Sequence, residues 1–116
     1  MSTTAPDCVF CKIVSGDIPA EVVATSDHSV AFRDLDPQAP THVLVVPKVH
    51  HADAAESAAA DAPAFADLVA LAAQVAESEG LDGYRLVLNT GASAQQTVFH
   101  THLHVLGGRA LTWPPG

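Results

Sequence analysis

The sequence predicts an α+β fold in which an antiparallel sheet of about five strands packs against one long helix, with a second, short helix at the N-terminus. Five stretches carry the sheet: 21–25, 29–33, 42–46, 84–88 and 97–106 are β-branched or alternate between apolar and polar residues. Most are joined by short connections, which favours antiparallel pairing. The Ala-rich stretch 61–79 repeats its large apolar residues with the period of a helix.

Each element follows from local chemistry. Residues 8–14 place Val9, Phe10, Ile13 and Val14 at helical spacing, and Ser15-Gly16-Asp17 with Pro19 stops that helix. Residues 21–25 and 29–33 flank Ser26-Asp27-His28 and read as a hairpin. Pro37 and Pro40 make 34–40 a loop, because proline cannot donate to a ladder. HVLVV at 42–46 is a strongly apolar strand stopped by Pro47. In the long helix Phe65, Leu68, Leu71, Ala72 and Val75 share a face that should cover the sheet, with Asp61 at the N-cap, Pro63 in the first turn and Gly80 as terminator. YRLVL and TVFHTHLHVL complete the sheet across the connection NTGASAQQ, and the tail TWPPG is extended.

Residues 1–116 are expected to form one domain, large enough for a real core. A composition that is 48% apolar and 16% charged belongs to a globular chain. The N-terminus lacks a basic region followed by an apolar run, so a cytoplasmic location with no membrane partner is expected. A formal charge of −8 repels polyanions, which argues against nucleic acid. A small phosphate ester could still bind, through backbone N–H groups and imidazolium. Cys8 and Cys11 are spaced C-x-x-C, which in a reducing compartment favours a metal site or redox pair over a structural disulfide.

FHTHLHVLGG, residues 99–108, holds the chemistry. On a strand, His100, His102 and His104 would share one face and Thr101, Leu103 and Val105 the other. A lone histidine there would be a solvated polar residue. Three at period two, opposite an apolar face and followed by Gly-Gly, point to function. A neutral imidazole is a competent nucleophile, and an ordinary pKa of about 6.5 leaves it mostly unprotonated at neutral pH. Read from the residues alone, the same histidines, with His42, could instead hold a catalytic metal with an open position.

This segment resembles the His-x-His-x-His pattern of the histidine triad (HIT) superfamily. CVFCKIVSGDIPAEVV, DLDPQAPTHVLVVPKVH, NTGASAQQTVFH and GGRALTWPPG extend the resemblance to the Hint branch, the purine nucleoside phosphoramidate hydrolases, in zinc-bearing bacterial form. His104, where the Fhit branch usually carries Gln, favours Hint over dinucleoside polyphosphate hydrolysis. A nucleotide-binding module with little turnover is the other alternative.

The resemblance implies a HIT-like fold and a set of roles. His102 would attack the α-phosphorus of an AMP or GMP phosphoramidate, forming a nucleotidyl-histidine that water then hydrolyses. His104 would bind the phosphate and His42 would assist; from local sequence alone His42 is equally a polar strand-start residue. Asp34 would grip the ribose hydroxyls, although Asp beside prolines is commonly a turn cap. Leu35, Val9, Phe10, Ile13 and Phe32 would form the nucleobase cleft, and without the resemblance most of them are simply core. The loop 89–97 would cradle phosphate through backbone N–H groups and the side chains of Asn89, Gln96 and Thr97. Gln95 departs from the pattern, since relatives often have Gly there, and its side chain could crowd the approach to phosphate. Structural Zn²⁺ would take Cys8, Cys11, His50 and His100, with His51 the competitor to His50. A homodimer whose tail approaches the neighbouring active site completes what the resemblance implies.

Overall fold

The structure, a computed structural model, describes Ala5 and residues 7–116. The five strands are β1 (Val22–Thr25), β2 (Ser29–Arg33), β3 (Thr41–Pro47), β4 (Tyr84–Val87) and β5 (Leu103–Gly107), paired antiparallel in the order β1-β2-β3-β5-β4. The helices are α1 (Val9–Ser15), α2 (Ala54–Ala60) and α3 (Ala62–Ser78).

Every residue of β3 is buried, which explains its unbroken apolar run: the central strand is covered on both faces. One face carries Val43 and Val45 with Ala31, Leu103 and Val105, packed under Leu68, Leu71, Ala72, Val75 and Ala76 of α3. The other carries Leu44 and Val46 with Val30, Phe32 and Phe10 of α1. Leu44 pairs with His104 across the β3–β5 ladder, so this second face is the one that presents histidine.

The caps are those the sequence indicated. Asp61 accepts the Ala64 N–H, a proline stands in the first turn of α3, and Gly16 ends α1 in the left-handed region at φ 86°. The Arg33 guanidinium clamps the far end of α3 to β2 through Glu79, with contacts of 2.8 and 3.2 Å. The paired glycines after β5 have a packing reason. A Cβ on Gly107 would stand 2.7 Å from Leu81, and Gly108 has φ 88° with Pro40 beside it.

Two expectations change. The single long helix is preceded by a separate one, α2, capped by Asp53, whose carboxylate accepts the Glu56 N–H at 2.9 Å while Glu56 takes the Ala52 N–H. The Asp53-x-x-Glu56 capping box was legible in sequence; the helix was missed because seven residues of mostly alanine carry no amphipathic period. The last strand is also shorter than 97–106, because it starts at Leu103. Residues 97–102 cannot join the ladder: the Thr101 N–H donates to the His51 carbonyl at 2.7 Å, and the Thr101 hydroxyl lies 2.8 Å from the Asp53 carbonyl and 2.6 Å from Ser57 Oγ. Only His104 of the three histidines therefore lies on strand geometry. The orientation of His100 and His102 comes from these tertiary bonds rather than from the pleat.

Candidate functional site

Four soft or borderline donors meet beside the N-terminus of α1. Cys8 is its N-cap and Cys11 stands three residues on, so both thiols project from one face. His50 follows β3 and His100 precedes β5. Cys8 Sγ lies 3.4 Å from His100 Nδ1, Cys11 Sγ lies 3.4 Å from His50 Nδ1 and 3.5 Å from His100 Nδ1, and the two Nδ1 atoms are 3.1 Å apart. Tetrahedral coordination by two thiolates and two imidazoles requires donor separations of about 3.3–3.6 Å, so the cluster fits a metal ion with little adjustment. His100 Nε2–H donates to the Pro47 carbonyl at 2.9 Å, which turns the Nδ1 lone pair toward the thiols. Burial lowers the His100 pKa to about 4, keeping the ring in its ligating neutral form, whereas burial raises the Cys11 thiol. A thiolate there needs a cation beside it. The choice between His50 and His51, open in the sequence, falls in the geometry to His50, whose Nδ1 is the atom that stands with Cys8, Cys11 and His100.

A second set of histidines is ordered by hydrogen bonds whose direction is forced. The Gln38 backbone N–H donates to His42 Nδ1 at 3.0 Å, so the His42 proton sits on Nε2. That Nε2–H donates to His104 Nδ1 at 2.8 Å, with Asp34 Oδ2 at 3.4 Å. His104 must then carry its own proton on Nε2, a buried atom with no hydrogen-bond partner among the described residues. An orphaned buried donor is costly, and it marks a position where a ligand acceptor belongs. Burial lowers both pKa values, that of His104 to about 4, so these rings are neutral at pH 7. His102 is fixed in the opposite sense: its Nδ1 donates to the His100 carbonyl at 2.8 Å, leaving the Nε2 lone pair free.

Asp34, His42 and His104 do bring three potential metal ligands within 4.8 Å of one another. The forced tautomer argues against that use. His42 Nε2 holds a proton as long as Gln38 donates to Nδ1, and a nitrogen separation of 2.8 Å is a hydrogen bond rather than a coordination edge. The catalytic-metal alternative therefore has no ready ligand set here.

Two of these histidines, His102 and His104, border one cleft of about 380 Å³. The ring centroids of His102 and His104 are 5.0 Å apart, and the Phe10 ring packs edge-to-face at centroid distances of 5.0 Å from His102 and 5.7 Å from Phe32. Val9, Phe10, Ile13, Phe32 and Leu35 contribute apolar lining, and Asp34, Asn89, Gln95 and Thr97 contribute polar lining. Leu35 is fully exposed at the rim. Asp34 also fulfils the turn-cap role, since its Oδ1 accepts the Asp36 N–H at 2.8 Å. Ile18, Pro19, Ala20, Leu44 and Val98 line the cleft too and were missed; of these Leu44 alone carried a signal, its alternation with His42. Arg33 borders the cleft but is engaged by Glu21 and Glu79.

Gln96 differs from the expectation of a phosphate donor. Its side chain is buried: Nε2 donates to the Ala52 and Val98 carbonyls at 2.7 and 3.2 Å and Oε1 accepts the Gly91 N–H at 2.9 Å. All of its polar atoms are engaged in shaping the loop. Its neighbour Gln95, exposed, has φ 70° and ψ 27°. A side chain in that left-handed conformation costs roughly 1 kcal/mol.

Comparisons with known proteins point to one family. A family model described as the HIT domain matches residues 15–111. An uncharacterized HIT-like protein of Synechococcus elongatus is 47% identical over 111 residues, which is 95% of this chain and 97% of that protein. The 14 kDa zinc-binding protein of Zea mays is 45% identical over 111 residues, covering 93% of this chain and 87% of its own length. Among solved structures, a HIT family hydrolase from Legionella pneumophila superposes with a TM-score of 0.90 at 48% identity, over 95% of this chain and 100% of the other. Another, from Clostridium thermocellum, gives 0.89 at 40% identity over 94% and 96%.

Proposed function

This chain belongs to the HIT-domain family, and from that premise we propose that it hydrolyses purine nucleoside 5′-phosphoramidates through a nucleotidyl intermediate on His102. The observation that carries the reading is the pair of opposed tautomers at one cleft: a free Nε2 lone pair on His102 and an unpartnered Nε2–H on His104.

The base lies against Phe10, Phe32, Ile13, Val9 and Leu35, and the ribose hydroxyls meet Asp34. His102 Nε2 attacks the α-phosphorus; the N–P bond forms as the phosphorus–amine bond breaks, and the amine leaves with the electron pair and takes up a proton. His102 now carries positive charge, which its Nδ1–H shares with the His100 carbonyl through a bond that strengthens as the charge develops. His104 donates to a phosphoryl oxygen in both steps, held in that tautomer by His42 and Gln38. Water then attacks phosphorus from the vacated side, releasing the nucleoside monophosphate and restoring His102.

Zinc at Cys8, Cys11, His50 and His100 would supply a structural cross-link with all four positions filled, supported by the donor set and by the relative named as zinc-binding. We take the protein to work in the cytoplasm as a homodimer; no described helix is long and apolar enough to cross a membrane.

The test is adenosine 5′-phosphoramidate turnover with early acid-free quenching. Wild type should accumulate one adenylate per chain, mapped to His102, and His102→Ala should lose activity by at least about a thousandfold. A variant with normal turnover defeats the mechanism.

A further inference from the structure

We propose that the side chain of Gln95 is a specificity-determining element that reads the group leaving from phosphorus, restricting how large an amine the cleft accepts. The inference rests on the proposed phosphoramidase reading and extends it to the substrate's other half. Three observations carry it.

Gln95 is the one non-glycine position at positive φ among the described residues, with φ 70°. Nothing local requires a side chain there: the residue closes the turn Ala92–Ala94 through its backbone N–H, donated to the Ala92 carbonyl at 3.0 Å, a bond glycine would make equally well. A strained conformation kept by a residue that could be replaced without loss of backbone bonding points to use of the side chain.

The strain is also imposed rather than incidental. Gln96 anchors the same loop to Ala52, Gly91 and Val98 through its buried amide, so Gln95 cannot relax by shifting the backbone. A rigid loop presents a flexible, exposed amide at a fixed point.

That point is on the wall of the cleft. Gln95 lines it together with Asn89, Thr97, His102 and His104. With the base against the apolar residues and the phosphorus at His102, the inferred pose seats the departing amine within reach of the Gln95 side chain in the same cleft. The side chain fills space that glycine would leave open. Its amide offers two donors and an acceptor to a small, polar leaving group and little to a bulky apolar one.

The experiment compares kcat/KM for two adenosine phosphoramidates, one releasing ammonia and one releasing a bulky aryl-alkylamine, in wild type, Gln95→Gly, Gln95→Ala and Gln95→Asn. The ratio of bulky to small should rise roughly tenfold in Gln95→Gly and Gln95→Ala and much less in Gln95→Asn, which keeps an amide and tolerates the left-handed region. Gln95→Gly should melt at or above the wild-type temperature, which separates the effect from damage to the fold. A ratio that stays within twofold of wild type in both Gly and Ala variants overturns the inference while leaving the phosphoramidase reading intact. If wild type turns over neither compound, that reading fails and the inference falls with it.

Discussion

The backbone carbonyl of His100 accepts the Nδ1–H of His102 at 2.8 Å, while the His100 ring faces the thiols of Cys8 and Cys11. One residue thus belongs to the candidate metal cluster through its side chain and to the histidine relay through its main chain. The two sites share a backbone, and disturbing the first should be felt at the second.

Metal removal tests this coupling. Purified protein is expected to hold about one zinc per chain, and chelation should lower Tm by about 10 °C or more. Cys11→Ser should reproduce the loss. Because the relay residues are untouched, activity per folded molecule should fall through kcat more than through KM. Metal analysis that finds no zinc in protein purified without chelators would exclude the assignment.

The buried hydroxyl pair Ser57–Thr101, at 2.6 Å, fastens the irregular segment between His100 and His102 to α2. Thr101→Val keeps the shape but strands Ser57 and the Asp53 carbonyl, and is expected to cost about 1–3 kcal/mol. Thr101→Ser should recover most of that. Denaturation midpoints of the two variants decide it; equal stability of Val and wild type would show that the hydroxyl bonds contribute nothing net.

Acid should weaken the fold earlier than carboxylates alone would dictate. Burial holds His104 at about 4 and lowers His42, whereas the unfolded chain protonates histidine near 6.5. The unfolded state therefore binds protons first: stability is complete above about pH 6.5 and is lost as pH falls toward 4, by on the order of 2–3 kcal/mol for His104. Glu79, held low by Arg33, and Asp67, held low by the Ser26 and Ser29 hydroxyls, add their losses only below the ordinary carboxylate range. Tm measured from pH 8 to 4 should bend near 6.5, and the bend should shrink in His104→Gln. A flat profile down to pH 5 would contradict the burial argument.

Much of this protein is written locally. Alternation placed β2 within its observed bounds and the other strands, β5 excepted, within a residue or so, because a strand buried on one or both faces must show its side-chain period. Asp61 and Gly16 fixed helix ends through caps that depend on a few neighbouring residues. The same period misled at residues 97–102. His100 and His102 keep an alternate spacing without being on a strand, since a sequence carries the spacing and not the hydrogen bonds that replace the ladder.

By itself, then, the sequence singled out the imidazoles and thiols that the fold gathers into two clusters, because their residue types and spacing stand out locally. Tertiary structure alone decided what each could do. The tautomers of His42, His102 and His104, the choice of His50 over His51, the withdrawal of Gln96 and the strained turn at Gln95 all depend on partners distant in the chain or on loop closure. A proton's position on a ring is set by whichever donor or acceptor the fold brings within about 3 Å, and no local pattern encodes that partner.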